Sequence, residues 1–499
     1  MSAEALFPSI PAHWKLTTLG ELAKASGGGI QTGPFGSQLH ASDYVNNGIP
    51  SIMPKNISVD SILTDDIARV SSEDITRLSK YKVHTGDIIY SRRGDVEKCA
   101  RITQEENGWL CGTGCLRVRV FPGEVSTEYL HAYLCHPNVR EWIVRHAVGA
   151  TMPNLNTSIL SALPVIVPSK SEMEQIGSSW LSISEKILIN HQINQTLEQI
   201  AQALFKSWFV DFEPVKAKIA ALKAGGSEED ALLAAMQVIA GDTQECADAT
   251  EGNTPEADTV GKLARLQAEQ PEQYAELRAT AELFPAAMQE SELGEIPQGW
   301  EAGSLSDVAY FPNSRIATEE LTLETYISTE NMLENRKGIC RASSMPSSAA
   351  VPSFKPRQVL ISNIRPYFKK IWLASKSGGR SPDVLAFESN QKDTSKFLYN
   401  LLYQDQFFDY MMLTSKGAKM PRGDKKAIMQ FTFAVPAIGL MQCFSERVES
   451  FYSLITSNNQ ESGILASTRA ILLPKLLSGE LSISEAESEL AESEETANV

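Results

Sequence analysis

The strongest constraint on this fold is that the sequence repeats itself. Ile10, Pro11, Trp14, Leu19, Glu21, Leu22 and Ala23 recur as Ile296, Pro297, Trp300, Leu305, Asp307, Val308 and Ala309, a shift of 286. Gly149, Ala150, Met152 and Pro153 recur as Gly417, Ala418, Met420 and Pro421, a shift of 268, and so do Pro168 and Pro436 at the ends of the apolar runs Leu163 to Val167 and Phe431 to Val435. The first copy therefore holds about 18 more residues between these landmarks. A chain duplicated in this way folds as two like globular units, each followed by a new segment.

Both new segments read as helices, and they match position by position. With 4,3 spacing, Ile176, Trp180, Ile183, Ile187, Asn190, Asn194, Leu197, Ala201, Leu204 and Trp208 form one seam. The same shift of 268 gives Phe444, Val448, Phe451, Ile455, Asn458, Ser462, Leu465, Arg469, Leu472 and Leu476. A 3.5-residue repeat held this long is a coiled-coil pattern. Asn190 and Asn458 occupy equivalent levels, as a register pin between the helices or as a tolerated polar core residue. An antiparallel pair would set the globular units apart by on the order of 54 Å, from about 36 residues at ~1.5 Å each.

The fold expected is α+β: two globular domains, 1–170 and 296–437, in pseudo-twofold repeat, separated by two long antiparallel coiled-coil helices. Short β-rich runs (Asp87 to Tyr90, Leu116 to Phe121, Gln358 to Ser362, Val384 to Phe387) alternate with turn residues, and Ser126 to Val148 and Thr394 to Leu413 read as helices. A central helical region spans 171–295. Glu213 and Pro214 stop its long helix, Gly225 and Gly226 stop a shorter one, Ser227 and Asp230 cap another ending near Gly241, and Thr259 to Met288 is again helical. Cys246 to Asp258 reads as a loop, 438–480 as the second long helix, and 481–499 as an acidic, solvated tail.

The 499 residues carry a net charge of −16. The deficit falls on 171–295, with 8 basic against 22 acidic residues, and on 438–499, with 3 against 10; residues 296–437 carry 18 against 13. Both globular units can therefore meet a polyanion without strong repulsion. No apolar run nears the ~18 residues of a membrane span, and the first residues lack a signal peptide's basic flank, so a cytoplasmic, membrane-free protein is expected. The seven cysteines form no CxxC pair. Cys111 and Cys115 with His131 and His136 nearby could be drawn as a zinc cluster, but buried thiols are the preferred reading and no metal site is assigned.

No catalytic residue is assigned either. The sequence has no GxxxxGK[ST] loop, no Asn/Asp-Pro-Pro-aromatic tetrapeptide with a Gly-rich cofactor loop, no nucleophile elbow and no nuclease-like carboxylate pair. What is present suits DNA. Gly33, Pro34, Phe35, Gly36, Ser37 and Gln38 close a Gly-rich loop from Gly27, where backbone N–H groups can approach phosphate and Gln38 can offer an amide to adenine; a tight turn is the competing reading. Arg92 and Arg93 follow one β-rich run as Asn363 and Arg365 follow its counterpart, and arginine there can fork onto guanine or phosphate. Lys416, Lys419, Arg422, Lys425 and Lys426 crowd the second copy's landmark with only Asp424 opposing, as a phosphate-contacting loop or a solvated face. The first copy's equivalent, Thr151 to Ser158, is uncharged and rich in Asn and Thr.

These residues resemble a known family. The Ile-Pro-x-x-Trp openings, TGPFGSQL (Thr32 to Leu39), LFKSWFVDFEPV (Leu204 to Val215), ELGEIPQGW (Glu292 to Trp300) and LLPKLLSGEL (Leu472 to Leu481) look like the specificity subunit of type I restriction-modification systems, over nearly the whole chain. The resemblance implies two target-recognition domains, each reading half of a bipartite double-stranded DNA site, with helices that set the spacer. It implies two modification subunits that bind S-adenosylmethionine and methylate adenine, and two ATP- and magnesium-dependent restriction subunits. This chain would itself carry no cofactor. The acidic Leu/Ala-rich faces of 171–295 are then expected to dock the modification subunits. In the second copy the Gly-rich loop is replaced by Ala309 to Thr318, AYFPNSRIAT, which leaves its contacts unassigned. Competing readings are a type IIB-like specificity subunit serving a fused methyltransferase-nuclease, a divergent DNA methyltransferase, and a coiled-coil scaffold.

Overall fold

The computed structural model describes Leu6 and residues 10–58, 61–64, 66–121, 123, 125–149, 153–241, 259–417 and 419–480. The loop expected over 246–258 and the tail over 481–499 lie outside these. The chain divides into two units, one of residues 1–190 with 460–499 and the other of 191–459. The cut runs through both long helices, so each unit keeps one globular repeat and a part of each helix.

The duplication is present in the strand pairing. In the first unit Lys15–Thr18 lies antiparallel to Pro164–Val167, and in the second Glu301–Ser304 lies antiparallel to Thr432–Val435. The next residues explain why Glu21 recurs as Asp307. Each carboxylate accepts the N–H of the helix-capping residue three positions earlier, Thr18 at 3.1 Å and Ser304 at 2.6 Å, closing a capping box. A four-stranded sheet follows with one order in both copies. In the first it runs Gly29–Thr32, Cys115–Arg119, Ile88–Ser91, Cys99–Arg101; in the second Ala309–Tyr310, Val384–Ser389, Val359–Ser362, Ile371–Leu373. The smaller second sheets differ in order, which is where the copies diverge.

Two helical stretches are each split in two. Thr127–Cys135 and Pro137–His146 meet at His136, because Pro137 cannot donate to a continuing helix and forces an extended residue before it. Ser395–Tyr403 and Asp405–Leu413 meet at the extended Gln404. The final central helix ends at Glu282, not Met288; Met288–Ser291 instead pairs with Gly294–Pro297 in a hairpin whose Gly294 takes a left-handed φ of 91°. Pro214 sits in the first turn of Glu213–Lys223, Gly225 ends that helix at φ 87°, and Ser227 with Asp230 caps Glu228–Gly241.

The first long helix is continuous over Lys170–Phe209. The second is two pieces, Ile438–Arg447 and Glu449–Ser478, because Val448 leaves helical geometry while its N–H still bonds Phe444. Within each unit the helices run antiparallel, since partner numbers fall as residue numbers rise. In the first unit Arg469 packs on Trp180 (4.5 Å) and donates to Ser184 (2.9 Å), and Asn190 donates to Glu461 (2.6 Å) and Ser462 (3.3 Å). In the second unit Asn458 donates to Asn194 (2.9 Å), and Tyr452 donates to Glu198 (3.1 Å). Each asparagine meets a polar level of the other helix within its own unit, Asn190 at Glu461 and Ser462 and Asn458 at Asn194.

The helix ends are buried in the repeats. Ile176, Trp180, Leu472 and Leu476 join the first unit's core, while Phe205, Trp208 and Phe209 join Trp300, Phe397 and Phe444 in the second. No described helix is long and apolar enough to cross a membrane.

Candidate nucleic-acid interface

In the first unit the Gly-rich loop leaves strand Gly29–Thr32 and is held from below. Gly33 donates to the Cys115 carbonyl (3.0 Å), and a Cβ there would lie 2.0 Å from the Gly112 oxygen, so only glycine fits. Phe35, Gly36 and Ser37 are exposed while Gly33 and Pro34 are buried. Gln38 Oε1 accepts the Tyr81 hydroxyl (2.6 Å), and its carbonyl accepts Arg77 (2.7 Å). A bidentate adenine contact would compete with the Tyr81 hydroxyl at Oε1, while the Nε2–H groups remain able to donate; in this geometry the oxygen braces the loop.

Arg92 and Arg93 reach the same place from strand Ile88–Ser91. The Arg92 N–H donates to Gly114 (2.8 Å), and its guanidinium stacks over Phe35 at 5.4 Å. Phe35, Gly36, Met53, Pro54, Arg92, Arg93, Thr113 and Gly114 line a cleft of about 330 Å³. Met53, Pro54, Thr113 and Gly114 had no signal in the sequence, because four separate chain segments meet there only through the sheet order. The cleft offers exposed aromatic surface, two guanidinium groups and a backbone free of bulky side chains.

The residues that flank the repeated Gly-x-x-x-Pro landmark are paired alike in both units. Val148 and Asn154 exchange two backbone hydrogen bonds (2.9 and 3.0 Å), as Lys416 and Arg422 do (2.9 and 3.0 Å). Gly149 (φ 112°) and Gly417 (φ 97°) take the left-handed turn, which explains why glycine recurs. Each pair leans on the segment after the central strand: Arg93 bridges Asn154, and Ile364 bridges Arg422. Gly94 donates to the Pro153 carbonyl and Arg365 to the Pro421 carbonyl, so these two residues are equivalent.

That equivalence singles out Arg365. Gly94 sits at φ 76°, where glycine is unstrained, but Arg365 holds φ 51° with a full side chain. Its Nε is buried without a hydrogen bond. Asn363, by contrast, is buried and donates to the Gly423 carbonyl (3.1 Å). In this geometry its amide ties the strand end to the loop at Gly423.

The five cations of the second copy's segment are not equivalent either. Lys416 pairs with Asp424 (2.6 Å), which holds that carboxyl below the ordinary carboxylate range, and Arg422 pairs with Asp383, a residue distant in sequence. Lys419, Lys425 and Lys426 are exposed and have no ion pair among the described residues. The surface is more weakly cationic than the sequence suggests, with three charges available to phosphates. Met420 within this segment and Tyr367, two residues after Arg365, are exposed.

The cysteines also regroup. Cys111 and Cys115 are buried strand residues whose thiols burial pushes up, Cys111 to about 12, and His136 caps its helix by accepting the Asn138 N–H. The group that does assemble among the described residues is Cys99, His131 and Cys135.

Residues 11–199 match the type I restriction modification DNA specificity domain. The HindI specificity subunit of Haemophilus influenzae is 28% identical over 426 residues, covering 82% of this chain and 89% of that one. The MjaIX specificity subunit of Methanocaldococcus jannaschii is 21% identical and covers 95% of each chain. A solved type I S subunit from M. genitalium aligns over 93% of this chain and 96% of its own, at 13% identity and a TM-score of 0.49. By the match over residues 11–199 and by these two relatives, the chain is similar to type I restriction-modification specificity subunits along most of its length.

Proposed function

We propose that this chain is the DNA-reading subunit of a type I restriction-modification complex, with one half-site read by each repeat. The observation that carries this is one framework bearing two chemistries. The paired residues and post-strand segment are superimposable in their hydrogen bonding, yet the first copy presents Arg92, Arg93 and Phe35 beside an uncharged segment, and the second presents Arg365 beside Lys419, Lys425 and Lys426. A shared scaffold with different polar surfaces is what two different half-sites require.

In this reading the lysines and loop N–H groups position the duplex, and Arg92, Arg93 and Arg365 read base edges. The helices, kept in register at Asn190 and Asn458, set the spacer between half-sites. Adenine methylation with S-adenosylmethionine belongs to two modification subunits docked on the 171–295 faces. ATP- and magnesium-dependent cleavage belongs to two restriction subunits. The chain itself is non-catalytic.

The test is binding by the assembled complex. The reading expects tight, salt-dependent binding to one bipartite site and no S-adenosylmethionine binding by the isolated chain. Binding indifferent to sequence, or cofactor binding by this chain alone, contradicts it.

A further inference from the structure

Cys99 lies on the edge strand Cys99–Arg101, opposite Tyr90 on the strand that leads into Arg92. His131 and Cys135 are one turn apart on helix Thr127–Cys135, on the face packed against that strand. The two sulfurs are 3.9 Å apart, and Cys135 Sγ is 3.6 Å from His131 Nε2. All three donor atoms lie within 4.8 Å of one another, and all three residues are buried.

A tetrahedral ion with metal–sulfur bonds of ~2.3 Å and metal–nitrogen bonds of ~2.0–2.1 Å needs S···S of about 3.8 Å and S···N of about 3.6 Å. The S···S spacing of 3.9 Å and the Cys135–His131 spacing of 3.6 Å match, and the third pair, Cys99 and His131, lies within 4.8 Å, close enough for a small side-chain rotation to complete the set. A disulfide would need the sulfurs at ~2.05 Å. Simple packing of small hydrophobic thiols accounts for the two cysteines but not for an imidazole nitrogen turned toward them.

The internal repeat supplies the control. The second copy has the same sheet order and helix, yet the positions of Tyr90, Cys99, His131 and Cys135 hold Ile361, Ile371, Tyr399 and Tyr403. The fold is therefore built without a donor cluster at this place, and the cluster is particular to the first unit.

We propose that Cys99, His131 and Cys135 form a binding site for a zinc-class divalent ion, with the buried Tyr90 hydroxyl offering a fourth donor. Binding would release the two thiol protons to solvent, so that two thiolates neutralise the ion's double charge. The bound ion would clamp helix Thr127–Cys135 to the strand pair that carries Arg92, stiffening the first recognition cleft.

The experiment uses the full-length chain purified under reducing, chelator-free conditions. Elemental analysis should find about one zinc per chain, lost by at least tenfold in Cys99→Ser and Cys135→Ser and retained in Cys340→Ser. Because either serine variant could misfold, wild-type apoprotein is also titrated with Co²⁺. A thiolate-to-cobalt charge-transfer band should saturate at one equivalent and be bleached by zinc. His131→Cys should keep the band, and His131→Leu should abolish it. A wild-type chain with neither zinc nor a cobalt–thiolate band overturns the proposal, as does a band that survives in both serine variants.

Discussion

Glu198 gives the most quantitative handle on the second unit. Its carboxyl accepts Gln202 Nε2 (3.2 Å) and the Tyr452 hydroxyl (3.1 Å), with the Tyr399 hydroxyl at 3.5 Å. Burial raises its pKa from 4.5 to about 7 against the opposing pull of those hydrogen bonds. A carboxyl with a raised folded pKa binds its proton more tightly when folded. Its contribution is therefore complete below about pH 4.5 and is lost as pH climbs through 7. At about 1.4 kcal/mol per pH unit the full shift is worth about 3 kcal/mol. Part of the side chain remains exposed, and solvent screening reduces this to between about 1 and 3 kcal/mol. Glu198→Gln keeps an acceptor for Tyr452 and removes the titration. Urea unfolding of both chains from pH 5 to 8 should show the variant gaining that amount on the wild type, most steeply between about pH 5 and 6.5, where the unfolded carboxyl is ionised and the folded one is not, and levelling off above pH 7. Hydrogen exchange of helix Ser395–Tyr403 assigns the transition. A wild-type-minus-variant difference that stays flat with pH refutes the reasoning.

Four further outcomes follow from the interface. Replacing Lys419, Lys425 and Lys426 together by Ala should reduce the log–log salt slope of DNA binding by about 2.7, so that between 50 and 200 mM salt the variant loses about 40-fold less affinity than the wild type; an unchanged slope removes these lysines from the phosphate contacts. Arg365→Gly should leave the second unit as stable or up to about 1 kcal/mol more stable, by relieving the left-handed strain, while weakening cognate binding by about 1–3 kcal/mol. Thermal melts and binding isotherms check the two halves of that statement. Gly33→Ala should impair binding through the first loop, because the added Cβ meets the Gly112 oxygen at 2.0 Å, without altering hydrogen exchange in the helix seam around Asn190. Inserting four residues, ~6 Å of helix, into Pro271–Glu282 should lengthen the spacer in sequenced methylation sites by one or two base pairs at ~3.4 Å each.

Much of the architecture was legible because it rests on periodic signals. The 286 and 268 shifts fall on paired strands, capping carboxylates and left-handed glycines, features that depend on a few residues at fixed spacing. The heptad seam was legible for the same reason, though which asparagine faces which partner follows from antiparallel pairing that spacing alone does not give. The site was less so. Asn363 and Arg365 look alike as polar residues after a strand, and only the structure separates the fully buried Asn363 from the half-buried Arg365. The Asp383–Arg422 pair, the cleft walls at Met53 and Thr113, and the Cys99–His131–Cys135 cluster join residues far apart in sequence. No local pattern encodes such contacts, because the sheet order brings them together.

The central claim is that each repeat reads its own half of one site. It is tested most directly by mapping methylated adenines genome-wide in cells that carry this chain with its modification subunit, as wild type and as Arg365→Gly. The account predicts one bipartite motif, relaxed in a single half by the substitution, with the other half and the spacer unchanged. A motif without two halves, or one in which both halves change together, contradicts it.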